Sequence, residues 1–198
     1  MGEAPRPGVL LDRDGTLCEE MGYLNHLSRL RILPGSPAGI RMLNEAGVPV
    51  AVVTNQGGVG AGYFPESFVD EVHREIDRRL AEEGARIDAY YYSPYHPHGN
   101  VPPYNRDSDC RKPKPGLAER AARDLGLDLG RSYVVGDRGT DLELARRIGA
   151  RCVLVLTGYG RGEWTWNRSR WAAPPDAVAE DLAEAARWIL SDMKGDGG

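Results

Sequence analysis

The stretch Leu10-Leu11-Asp12-Arg13-Asp14-Gly15-Thr16-Leu17 puts two carboxylates one residue apart behind a short apolar run. Val9 to Leu11 suffice to end a buried strand, and Gly15 then turns the chain. Side chains alternate along a strand, so the spacing predicts Asp12 and Asp14 on one face with Arg13 turned away. Two acids forced together repel unless a cation lies between them or one of them takes up a proton. Both conditions suit phosphoryl transfer, where a metal neutralises phosphate and a proton donor serves the leaving group. Taken alone, the stretch also suits an acidic hairpin turn, because Asp-Gly is a common hairpin signal.

The elements that must position these acids follow in order. A helix over about 36–46 is closed by Gly47, and Val48 to Val53 form a second buried strand running into Thr54-Asn55-Gln56-Gly57-Gly58-Val59-Gly60. A helix over about 65–83 carries Phe68, Val69, Val72, Ile76 and Leu80 on one face. Ile87 to Tyr92 read as the third strand, and residues 93–111 as a long aperiodic loop, a kind that is usually functional or disordered. A helix over about 115–125 leads to strand four, Tyr133-Val134-Val135, which ends in Gly136-Asp137. A helix at about 140–148, a strand at Cys152 to Leu156, a Trp-rich loop at 160–175 and a helix at about 176–190 complete the reading, with loose tails at 1–7 and 192–198.

Strands alternating with helices imply a parallel sheet covered on both faces. The fold class is therefore α/β, a Rossmann-like three-layer α/β/α sandwich with a mainly parallel central sheet, in one domain. Only about 40 residues separate Asp14 from Thr54, and they already hold a helix and a strand, so no large cap domain fits there. Ligands bind at the carboxyl ends of strands in such sheets. Asp12 and Asp14, Thr54 and Asn55, and Asp137 all fall on those ends, and Lys112 lies in the loop before the following helix.

With 198 residues, 41% hydrophobic and 27% charged, the composition is that of an ordinary globular chain. A net charge of -4 gives no basic face for nucleic acid. No apolar run is long enough to span a membrane, and Met1 to Gly8 lack the apolar core of a signal peptide, so no membrane partner and a cytoplasmic location are expected. Cys18, Cys110 and Cys152 are odd in number and far apart, which does not suit a disulfide framework.

The ordered pieces Asp-x-Asp-Gly-Thr, Val-Val-Thr-Asn, Arg-Lys-Pro and Val-Gly-Asp-x-x-x-Asp resemble the haloacid dehalogenase superfamily of phosphatases. That resemblance implies that Asp12 is the nucleophile, forming an aspartyl-phosphate, and that Asp14 protonates the leaving alkoxide and then activates water. It implies Mg²⁺ held by Asp12, the Asp14 carbonyl and Asp137, with Asp141 in support, and Thr54 and Lys112 donating to the phosphoryl oxygens. More narrowly, Gly22-Tyr23, Leu33-Pro34-Gly35, Tyr91-Tyr92-Ser93-Pro94, Cys110-Arg111-Lys112-Pro113 and Val135-Gly136-Asp137-Arg138 look like heptose-bisphosphate phosphatases, a pattern shared with histidinol-phosphate phosphatases.

The narrower resemblance implies a small sugar phosphate as substrate, and a single domain without a cap makes a monomer the expectation. It puts Arg111 and Arg138 against the rest of the substrate, with Arg13, Glu20, Asn55 and Gln56 as further contacts. In that family the loop after strand three commonly carries a structural zinc held by Cys-x-His and Cys-x-Cys pairs. Here Ser93, Tyr95 and Ser108 stand at three of those positions and Cys110 alone remains, so zinc is not expected. A rearranged site would have to use His96, His98 and Cys110. A non-catalytic binding protein of the same fold has no need of Asp12, Asp14, Thr54, Lys112 and Asp137 together.

Overall fold

The computed structural model describes residues 4–195. Six strands form one sheet: β1 (Val9–Leu11), β2 (Val50–Asn55), β3 (Ala89–Ser93), β4 (Tyr133–Gly136), β5 (Arg151–Val155) and β6 (Ala177–Ala179). Their spatial order is β3-β2-β1-β4-β5-β6, and every neighbouring pair is parallel. The sheet is thus parallel throughout rather than mainly so. β1 lies at its centre, with Leu11 level with Val52 of β2 and Val135 of β4.

The helices are α1 (Gly35–Glu45), the single turn α2 (Gly58–Ala61), α3 (Glu66–Glu82), α4 (Gly116–Leu125), α5 (Gly139–Ile148), the short α6 (Gly160–Gly162) and α7 (Leu182–Gly195). Alternation along the strands divides the core between two faces. Val9 and Leu11 pack with Ile40 of α1, Ile76 of α3 and Ile189 of α7, whereas Leu10 packs with Leu117 of α4 and Leu142 of α5. Each such side chain contributes about 1.5–3 kcal/mol when fully buried, so β1 is anchored from both sides of the sheet. No helix among the described residues is long and apolar enough to cross a membrane.

Three expectations are corrected. Residues 177–179 are a strand, not the start of a helix, because Val153, Leu154 and Val155 of β5 offer an edge for Ala177, Val178 and Ala179 to pair with. The Trp-rich stretch is helical: a π turn at Glu163–Asn167 and a 3-10 turn at Arg168–Arg170 follow α6, and Trp164 and Trp171 pack against the half of the core that holds Leu10 and Leu142. The tails are shorter than expected. Arg6 bridges Leu127, and α7 runs through 192–195, while residues 1–3 and 196–198 lie outside the described ones.

Candidate functional site

Because β1 is central, the residues that leave β1, β2 and β4 meet at one edge of the sheet. Asp12 follows β1, Thr54 and Asn55 end β2, and Asp137 follows β4. Asp141, on the first turn of α5, reaches back to the same point. One carboxylate oxygen from each of Asp12, Asp137 and Asp141 lies within 4.8 Å of the others. Lys112 enters from the long loop, with its Nζ 2.9 Å from Asp12 Oδ1 and 2.7 Å from Asp141 Oδ1.

Burial alone would strip the proton from Lys112, but Asp12 and Asp141 outweigh it and hold the ammonium above its ordinary range. Burial and then the charge of Asp12 push the Asp137 carboxyl well up, and burial pushes Asp141 up against the pull of Lys112. Asp137 Oδ2 accepts the Tyr159 N–H at 2.8 Å, whereas its Oδ1 is buried and has no hydrogen-bond partner. An orphaned buried oxygen beside two further carboxylates fits a hard divalent cation, which takes oxygen ligands.

The turn after β1 is shaped around Asp137. Gly15 has φ +84°, and a Cβ there would fall 2.0 Å from Asp137 Oδ2. Gly158, with φ +52°, packs beside it: a Cβ there would fall 2.2 Å from the same oxygen and 2.5 Å from Gly15 Cα. Both positions need glycine, for backbone conformation and for space.

β1 ends at Leu11 and the chain then turns, so Asp12 and Asp14 are not placed by strand alternation, although both line one cavity. Arg13 Nη2 donates to Asp14 Oδ2 at 2.9 Å, and Gln56 Nε2 donates to the same oxygen at 2.7 Å. Arg13 Nη2 also donates to Gln56 Oε1 at 2.7 Å, and Gln56 Nε2 donates to Thr54 Oγ1 at 3.0 Å. Arg13, only 1% exposed, and buried Gln56 therefore brace Asp14, and neither is part of the cavity lining. His73 of α3 completes the brace, with Nε2 3.5 Å from Arg13 Nη1 and its ring stacked on Tyr90. Asp141, expected only in support, supplies the third oxygen of the acidic cluster, and the Asp14 carboxylate does not join it.

Above these groups opens a cavity of about 370 Å³. Asp12, Asp14, Thr54 and Lys112 line it together with Glu20, Arg111 and Arg138, with His96, which the sequence offered only for a rearranged metal site, and with Tyr23, which the sequence did not mark as a site residue. Asn55 lines it too, but its amide is engaged: Oδ1 accepts the Lys112 N–H at 2.9 Å and Nδ2 donates to the Lys112 carbonyl at 3.1 Å. It positions Lys112 rather than presenting a free amide. Arg111 Nη1 donates to the Tyr95 carbonyl at 2.9 Å, and Arg138 Nη2 lies 3.3 Å from Glu20 Oε2.

Among the described residues, His96, His98 and Cys110 do not gather as metal ligands; the group that does is Asp12, Asp137 and Asp141. Around the loop, Arg106 lies over the Tyr95 ring at 4.8 Å and donates to its hydroxyl at 3.1 Å. The His96 N–H bonds the Tyr104 carbonyl at 3.0 Å, and the Tyr104 hydroxyl donates to Glu66 at the start of α3.

A family model described as HAD-hydrolase-like matches residues 109–185. The D-glycero-D-manno-heptose-1,7-bisphosphate 7-phosphatase of Thermosynechococcus vestitus is 40% identical over 193 residues, 96% of this chain and 98% of the relative. The D-glycero-beta-D-manno-heptose-1,7-bisphosphate 7-phosphatase of Escherichia coli K12 is 36% identical, covering 94% of this chain and 90% of the relative. A crystal structure of the D,D-heptose 1,7-bisphosphate phosphatase of B. bronchiseptica, complexed with magnesium and phosphate, superposes with a TM-score of 0.82 at 31% identity. That match covers 94% of this chain and 99% of the solved one.

Proposed function

The chain belongs to the heptose-1,7-bisphosphate 7-phosphatase family of HAD-like hydrolases, and we propose that it removes the 7-phosphate of D-glycero-D-manno-heptose 1,7-bisphosphate. The observation that carries this reading is charge placement. One nucleophile and one ammonium lie on the floor of the cavity, and two guanidinium groups, Arg111 and Arg138, stand on its wall. A guanidinium grips phosphate with paired donors, so a second phosphate has a place to go.

An oxygen of Asp12 attacks phosphorus as the bond to the sugar oxygen breaks, leaving an aspartyl-phosphate. Asp14, which reaches the cavity with 21% of its side chain exposed, gives a proton to the departing alkoxide. It then takes a proton from the water that attacks the same phosphorus, and the bond to Asp12 breaks to return the free carboxylate and phosphate. Lys112 and Thr54 donate to the phosphoryl oxygens as charge builds on them. Arg13 and Gln56 hold Asp14 within reach of the leaving group. Mg²⁺ held by Asp12, Asp137 and Asp141, with the Asp14 carbonyl as a further oxygen, would offset charge between phosphate and nucleophile. The reading also takes the chain as one phosphatase domain, monomeric and cytoplasmic, with the 93–111 loop free of zinc.

The test is phosphate release with Mg²⁺ from both anomers of the heptose bisphosphate, fructose 1,6-bisphosphate and histidinol phosphate, with Asp12→Asn as the blank. Preference for one heptose anomer is the expected result. Preference for histidinol phosphate would move the enzyme to an amino-alcohol phosphate, and silence across the panel would remove the substrate assignment.

A further inference from the structure

We infer that Tyr159 is a positioning residue that aims Arg138 at the part of the substrate remote from the reacting phosphate, an inference that rests on the bisphosphate reading above. The Arg138 guanidinium lies 3.9 Å from the centroid of the Tyr159 ring, and Glu20 Oε2 holds its Nη2 at 3.3 Å. The Arg138 side chain is 44% exposed. Without these two contacts, a long side chain at the start of a helix would sample many rotamers, and ordering it on binding costs affinity. The ring covers one face of the guanidinium and the carboxylate takes one edge. The remaining N–H groups stay available toward the cavity, where Arg138 is part of the wall.

Tyr159 is itself fixed by the reaction centre. Its N–H donates to Asp137 Oδ2 at 2.8 Å, one residue before Arg138, and the Thr157 hydroxyl donates to the Gly15 carbonyl at 2.6 Å. Gly160 is pressed against β5, where a Cβ would fall 1.7 Å from the Val155 carbonyl oxygen. One residue therefore ties an acid of the cluster, through its backbone, to the cationic arm on the wall, through its ring. Any residue other than proline keeps the backbone half of that link. Substituting the side chain isolates the other half.

The experiment is a double-substitution cycle with Tyr159→Ala and Arg138→Ala, reading kcat and KM on the heptose bisphosphate and on p-nitrophenyl phosphate, which has a single phosphate. Binding of the bisphosphate to the same variants in an Asp12→Asn background gives a readout independent of turnover. A cation–π contact of this kind corresponds to about a 3- to 10-fold change. Tyr159→Ala is expected to raise KM and Kd for the bisphosphate by that factor and to lower the preference over p-nitrophenyl phosphate to match. Tyr159→Phe, which keeps the ring, should restore both. In the Arg138→Ala background Tyr159→Ala should have no further effect. An undiminished effect there, or an equal loss on both substrates, would overturn the role of Tyr159. An Arg138→Ala variant that keeps the full bisphosphate preference would instead count against Arg138 as a contact for the second phosphate.

Discussion

Replacing Lys112 with methionine keeps most of the length of the side chain and deletes its charge. Nζ lies 2.9 Å from Asp12 Oδ1 and 2.7 Å from Asp141 Oδ1, and the side chains of Lys112 and Asp141 are 3% and 1% exposed. Removing one partner from a buried ionic group leaves uncompensated charge and costs about 3–5 kcal/mol. Here three carboxylates would stand within 4.8 Å of one another without the ammonium. In a chain of this length each kcal/mol moves Tm by about 2–4 °C, so the expected fall is about 6–20 °C. The assay is thermal unfolding followed by circular dichroism in EDTA near neutral pH, repeated with excess Mg²⁺. Ligands of the native state stabilise by mass action, and the cluster in the variant has lost a competing cation. Added Mg²⁺ should therefore raise Tm more in the variant than in the wild type. A fall of less than about 3 °C in EDTA would refute the reasoning, since Lys112 would then contribute no more than an exposed ion pair. Equal Mg²⁺ shifts in the two proteins would refute it as well.

Burial first, and then the charge of Arg13, lower the His73 imidazole from 6.5 to about 3. Below pH 6.5 the unfolded chain takes up a proton that the native protein refuses, so stability falls as pH drops towards 3, by about 1.4 kcal/mol per unit. His73→Phe should lose less Tm between neutral pH and pH 5 than the wild type does, and equal acid sensitivity would contradict a neutral buried imidazole. Gly158→Ala forces a Cβ to 2.2 Å from Asp137 Oδ2. Displacement of about 1 Å at a reacting centre costs about 10²-fold, so turnover should drop by that order while the far-ultraviolet spectrum is kept; unchanged turnover would sink this account of the turn. EDTA followed by excess Mg²⁺ should restore full activity, because Tyr95, Tyr104, Arg106 and Glu66 brace the long loop through their own contacts. Permanent loss after chelation would reveal a structural ion.

The sheet and the acids at its edge were legible because burial on both faces leaves unbroken apolar strands, such as Val50 to Val53, and glycine and polar residues mark where those strands end. β6 was not legible. Ala177 to Ala179 precede an alanine-rich helix and share its composition, and only pairing with β5 makes them extended. Arg13 misled for a related reason. Alternation governs side chains only while the strand lasts, and β1 stops at Leu11, so Arg13 folds under Asp14 instead of away from it. Gln56 and Asn55 carry side chains suited to sugar hydroxyls, and nothing local tells that Asp14 and the Lys112 backbone claim them first. Tyr159 has no motif around it. Its role is visible only once β5 brings it beside Asp137.

The central place of β1 also sets a schedule for biosynthesis. Gly8, just before β1, donates to Ser132 Oγ across 124 residues, and β4 follows directly. On a ribosome the nucleophile emerges early, and Asp137 and Asp141 arrive only after most of the chain has been made. Sequence-distant pairings form late, once their loops have closed. A nascent chain therefore carries Asp12 for most of its synthesis without the two acids that complete its cluster. Catalytic competence requires β4 beside β1 and the residues after it, so fragments that end before β4 would hold the nucleophile and remain inert.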